Sequence, residues 1–107
     1  MATNAASYYD NDGTLSDHKL ITMSTLIGNR YPELGQRLGM TLGQLEEIRQ
    51  SSPGNLQHQV FTMLAMWRDI HRDKATLSVL QDVLKDLGWT SVYTQIRNTH
   101  DNFYVVL

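Results

Sequence analysis

Among the side chains able to do chemistry in this chain of 107 residues are four histidines and eleven carboxylates, and there is no cysteine. Metal binding needs ligands at recurrent spacing, and His18, His58, His71 and His100 are scattered along the chain without one. No carboxylate pair sits beside a nucleophile in a Gly-rich turn, one arrangement that would point to acid–base or nucleophilic catalysis. The segments "GTLSD" and "GQRLGM" lack the lysine and the spacing of a phosphate-binding loop. The histidines therefore read as surface residues. No enzyme, no cofactor and no small-molecule substrate is expected.

One stretch does carry legible polar chemistry. Leu34 to Gln50, "LGQRLGMTLGQLEEIRQ", sets two short helical patterns around Gly39-Met40-Thr41, which is the turn chemistry of a helix-turn-helix that reads DNA. Gln44, early in the second helix, has the amide that pairs with adenine in a major groove. The same helix carries Glu46 and Glu47 against a single Arg49, and carboxylates beside phosphates repel unless one accepts from cytosine. Two helices of an interaction bundle have the same local pattern, so the surrounding elements must decide.

Of the eleven acidic residues, Asp10, Asp12 and Asp101 lie outside Thr14 to Arg97, which leaves eight against all nine Lys and Arg. Signs alternate in this nearly neutral body, whereas a protein that grips a polyanion gathers its cations into a patch. Apolar residues at 41% and charged residues at 19% are ordinary for a globular domain, and the length suits one core. No basic stretch followed by an apolar run opens the chain, and no apolar window reaches membrane-spanning length. With no cysteine as well, a cytoplasmic setting is the default expectation.

Helix punctuation is dense. Residues 1–13, without apolar period, read as a flexible leader. Leu15, Leu20, Met23, Leu26 and Ile27 keep helical spacing between a cap at Ser16 and a stop at Gly28-Asn29. Pro32 suits the first turn of a second helix, with Leu34 and Leu38 on one face and Gly39 as its end. Thr41 and Gln44 have capping-box spacing for a third helix, with Leu42, Leu45 and Ile48 as its buried stripe. Ser51 to Asn55 reads as a loop with Asn55 as the next cap. Leu56, Val60, Met63, Leu64, Trp67 and Ile70 then line one face of a fourth helix, the spine of the core, with Trp67 as a core anchor. Arg72-Asp73-Lys74 breaks the period, and Thr76 caps a fifth helix carrying Leu77, Leu80, Val83, Leu84 and Leu87 up to Gly88. A sixth helix takes Trp89, Val92 and Ile96. Residues 99–107 read as a tail, in which Val105 and Leu107 of "YVVL" would share one face of a strand. The class is all-α.

The order of these features resembles a death domain. An aromatic and a leucine before "LG" in "YPELGQRLG", a capped third helix ending at Ile48, a polar loop, "QVFTMLAMW", a charged loop and "ATLSVLQDVL" follow that family's pattern over residues 14–98. Tyr31 stands where tryptophan is common and Gly35 where alanine is usual, the latter weakening the second helix by about 1 kcal/mol on propensity. The resemblance implies an antiparallel six-helix bundle. It implies homotypic contact with other death domains, self or heterotypic, in helical assemblies of apoptotic or innate-immune signalling. It also explains the second half of the chain, which a DNA-binding unit does not, so neither nucleic acid nor membrane is expected as a partner. By position, the family's first surface would set helices one and four against helices two and three. The second would set Arg72, Asp73 and Lys74 against a corner holding Asp86 and Trp89. The third would set Glu46, Glu47 and Arg49 against loops around Arg30 and Asn55.

Overall fold

The computed structural model of the chain describes residues 15–105, with side chains placed as far as residue 98. Over these residues the chain forms six α-helices: α1 Asp17–Ile27, α2 Tyr31–Arg37, α3 Leu42–Ser51, α4 Leu56–His71, α5 Leu77–Asp86 and α6 Thr90–Val105. Short 3-10 turns, Gly28–Arg30 and Arg72–Lys74, follow α1 and α4. Helix starts fall where the polar residues put them, because a side-chain oxygen satisfies amides that have no partner inside the helix. Ser16 accepts from the Lys19 amide, Asn55 from that of His58 and Thr76 from that of Val79. At α3 the capping box is complete: Thr41 Oγ1 accepts from the Gln44 amide at 3.1 Å, and Gln44 Oε1 from the Thr41 amide at 2.9 Å. Each such cap contributes roughly 1 kcal/mol.

Helix α4 is the centre, packed against α1, α2 and α3, while α6 lies against α1 and α5. Its Val60, Met63 and Leu64 have no solvent access, and Trp67 is buried with them. Gly35 lets α2 come close: a Cβ there would stand 2.8 Å from Leu45 Cδ2 and 3.4 Å from Met63 Cγ. The helix propensity lost at Gly35 is therefore set against contact between three helices. Buried Tyr31 donates from its hydroxyl to Gln59 Oε1 at 2.9 Å, and Gln59 Nε2 donates to the Ser52 carbonyl at 2.8 Å.

Three apolar residues expected inside are at the surface. Leu56 and Ile70 sit at the two ends of α4, which is longer than the layer that covers it, and both are exposed. Leu42 is 70% exposed, and Met40 from the preceding turn is buried at that end instead. The cause is the way α2 ends. Gly39 takes φ +97°, its amide bonds to the Gln36 carbonyl, and the Met40 amide bonds back to Gly35. This pair of hydrogen bonds turns the residue after the glycine onto the helix it has just left. Gly88 ends α5 with the same two bonds, to Lys85 from its own amide and to Leu84 from that of Trp89, and Trp89 is buried in turn.

The last helix overruns its expected end. Residues 99–105, expected to be tail or strand, continue α6, since from Thr90 onward neither glycine nor proline interrupts the chain. The leader 1–13, Val106, Leu107 and the His100 side chain lie outside what is described. His18, His58 and His71 are exposed, as expected of them.

Trp67→Ala should cost about 3–5 kcal/mol in denaturant melts, the usual loss for an emptied aromatic core site. Burial holds the Tyr31 hydroxyl above its ordinary range, with nearby Glu46 adding to the rise and Arg49 opposing it. Its folded pKa thus exceeds the unfolded value of about 10, so its contribution is whole below that pH and disappears as pH rises through the folded value. Tyr31→Phe should cost about 1–2 kcal/mol at neutral pH and flatten the alkaline limb of stability measured against pH.

Candidate interaction surfaces

The charged loop after α4 is as exposed as its sequence suggests, since Arg72, Asp73 and Lys74 are all open to solvent. Its backbone is less ordinary. Arg72 sits at φ +56° and ψ −119°, a combination suited to glycine, and it is the one non-glycine residue with positive φ among those described. The turn lets the Arg72 amide close on the Arg68 carbonyl and starts the 3-10 segment.

The opposing corner differs from expectation at one residue. Asp86 is exposed and accepts from Arg37 of α2 at 3.4 Å, so it is already paired within the molecule. Trp89, expected to meet a partner, is instead part of the core. Only 7% of it is accessible, because the turn at Gly88 folds it inward, and Arg30 stacks on its ring at 4.6 Å. Exposed at this corner are Lys85, Asp86, Thr90 and the covering Arg30.

On α3, Arg49 donates to both carboxylate oxygens of Glu46, and Gln50 Nε2 donates to Oε2 at 3.0 Å. These bonds, the one from Arg49 first, hold the Glu46 carboxyl below its usual range, and the same contact raises Arg49. Glu47, one residue on, is exposed and makes no such pair. Gln44, the residue offered for reading adenine, has its amide oxygen engaged in the α3 cap. Arg30 and Asn55 lie on separate loops that the structure links. Tyr31, next to Arg30, reaches Gln59, which holds the carbonyl of Ser52 three residues before Asn55. Asn55 itself is engaged as the α4 cap, and Arg30 pairs with Glu33 at 3.0 Å.

Sequence reasoning missed several residues here. Arg68 of α4 donates to the Leu15 carbonyl at 3.1 Å and to Asp17 at 2.6 Å, tying the start of α1 to the core helix. Burial works against its charge, but the bonds to Asp17 and Asp69 outweigh that and raise its pKa. Lys19 is buried on α1, four residues after Leu15 and four before Met23, a spacing that could have revealed it. Between α1 and α4 runs an open groove of about 320 Å³ bordered by Ile21, Asn55, His58 and Phe61, with Ile21 47% exposed. Among the described residues no group of three His, Asp or Glu is placed to hold a metal ion, and no helix is long and apolar enough to cross a membrane.

A helical bundle organised around one spine, with its polar groups engaged in caps and its exposed loops rich in both signs of charge, is an interaction module of the death fold. The chain belongs to the death-domain family, whose model matches residues 16–100. No curated protein matches the chain in sequence.

Replacing Arg72 by glycine should relieve the loop backbone. The expected gain is about 1 kcal/mol, the strain removed less the extra entropy glycine gives the unfolded chain, read from the shift in denaturant midpoint at constant slope.

Proposed function

We propose that this protein acts in the cytoplasm by homotypic contact with other death domains, its own or another chain's, and assembles a signalling complex of the apoptotic or innate-immune type. The observation that carries the reading is the death-domain match over residues 16–100. The α1–α4 groove sets Ile21 and Phe61 among polar Ser24, Asn55, Gln57 and His58, and Leu42, 70% exposed at the start of α3, is an apolar projection. The loop of Arg72 and Lys74 carries two cations, and Asp86, bonded to Arg37, is the carboxylate at the opposing corner. Pairs of unlike patches on different faces join copies head to tail, which extends as an open helix where a self-complementary patch would close a dimer. Complementary charge sets register and encounter rate, and like charge excludes wrong partners.

The reading includes neither catalysis nor nucleic-acid or membrane binding. Leu34 to Gln50 does form two helices about a turn, the geometry of the DNA-binding alternative. Gln44 is held in its cap there, and the exposed face of α3 carries Glu46 and Glu47.

Sedimentation of the chain across salt concentrations tests the proposal, with circular dichroism as the fold control. Arg72→Glu with Lys74→Glu should block assembly at low salt while leaving the helices intact, because exposed charges contribute little to stability. Asp86→Arg on a second chain should restore mixed assembly, at the loss of the exposed pair with Arg37, worth about 0.2–1 kcal/mol. Leu42→Asp should weaken assembly independently of salt. Unchanged sedimentation of all three variants sinks the reading, as does a sequence-selective DNA mobility shift that Gln44→Ala abolishes.

A further inference from the structure

The chain contains two prolines, which follow Tyr31 and Ser52, so Ser52 is the single serine or threonine that precedes one. It stands in the short loop between α3, which ends at Ser51, and α4, which begins at Leu56. A proline keeps the residue before it out of the helical region, and Ser52 takes φ −138°. Its hydroxyl is thereby set in a non-helical segment, and residues 53–58 after it are all exposed. The backbone is what anchors Ser52: its carbonyl accepts from Gln59 Nε2 at 2.8 Å and from the Asn55 amide at 3.2 Å. The side chain lies at the surface, with Oγ hydrogen-bonded to Nδ1 of exposed His58 at 2.8 Å. The loop can therefore keep its shape while the hydroxyl is altered.

His58 also connects this hydroxyl to a second feature. It borders the groove between α1 and α4, together with Ile21 and Phe61. Whatever is attached to Ser52 Oγ comes to lie beside that groove.

We propose that Ser52 is a phosphorylation site for a proline-directed serine kinase, and that the phosphate turns off association through the α1–α4 groove. The second half rests on the assembly proposed for this protein; the first half does not. Proline lacks an amide hydrogen and holds the dipeptide extended, so a kinase cleft shaped for that ring after the hydroxyl selects this one position of the chain. In the transfer, Ser52 Oγ attacks the γ-phosphorus of a nucleoside triphosphate. The new O–P bond forms as the bond to the β,γ-bridging oxygen breaks, nucleoside diphosphate leaves, and the hydroxyl proton passes to a base of the kinase. The product carries a charge of about −1.5 to −2 at neutral pH where the serine carried none. A single imidazole offsets at most one of those charges. An apolar projection such as Leu42 of a second copy, seated against Ile21 and Phe61, would strip water from the remaining charge without pairing it.

The test incubates the folded chain with a purified cyclin-dependent kinase, magnesium and ATP, followed by mass spectrometry of proteolytic fragments. A single phosphate is expected, at Ser52. Ser52→Ala should abolish it, and Pro53→Ala should slow it by about tenfold or more, the scale of one apolar pocket contact. The His58 ring resonances should shift on modification and stay in place in Ser52→Ala treated alike. Sedimentation of the modified chain reads the consequence: the concentration needed for assembly should rise about tenfold or more, the disruption expected of a dianion at an interface, with circular dichroism unchanged. The site is overturned by no incorporation at Ser52 in the folded chain, by incorporation only after denaturation, or by a rate that Pro53→Ala leaves unchanged. A modified chain that assembles like the unmodified one overturns the switch. If the unmodified chain does not assemble at all, the proposed assembly fails and the switch with it, while incorporation still decides the site.

Discussion

Everything in this bundle depends on covering one helix from three sides. The face of α4 formed by Val60, Met63, Leu64 and Trp67 is buried, and α1, α2 and α3 all pack against that helix. The approach of α2 is the tightest, and Gly35 is where it is felt, since any larger residue would press on Leu45 and Met63. On propensity alone that glycine looks like a weakness in a seven-residue helix. In the packed structure it sets the separation of three helices. Local preference yields to packing because the buried area at stake outweighs the propensity difference of about 1 kcal/mol.

Connections shape the surface as much as helices do. Two helices end in a left-handed glycine followed by a residue folded back onto the core, and those residues are Met40 and Trp89. Met40 occupies buried space at the start of α3 and leaves Leu42 projecting, while Trp89 carries Arg30 on its ring. The buried chain from Tyr31 through Gln59 to the Ser52 carbonyl joins the α1–α2 turn to the α3–α4 loop. Two segments far apart in sequence are thereby held as one surface. Tyrosine at position 31 has a physical role that tryptophan could not fill in the same way, because an indole lacks the hydroxyl that Gln59 accepts from.

Exposed charges divide into those engaged within the molecule and those left outward. Glu46 with Arg49, Arg30 with Glu33 and Arg37 with Asp86 are paired at the surface, where such pairs add little to stability but fix the side chains in place. Glu47 and the loop of Arg72 and Lys74 carry charge outward. That loop also contains the strained backbone of Arg72, held by the turn at the end of α4. Glycine would be relaxed at that position, so the arginine there costs the loop backbone strain.

The sequence by itself determined the six helices, their caps and the phase of the core. Those features follow from interactions within a few residues: a hydroxyl and an amide three positions apart, an apolar period, a glycine free to turn left-handed. It also carried the family, because the order of such features extends across most of the chain. Only the tertiary structure decided which apolar residues stay inside, since Leu42, Leu56 and Ile70 keep the right period but lie where no neighbouring helix reaches. It likewise assigned Trp89 to the core, paired Arg37 with Asp86, and set Arg30 over the Trp89 ring. Those outcomes depend on where separate helices end relative to one another, a distance that no local pattern of residues encodes.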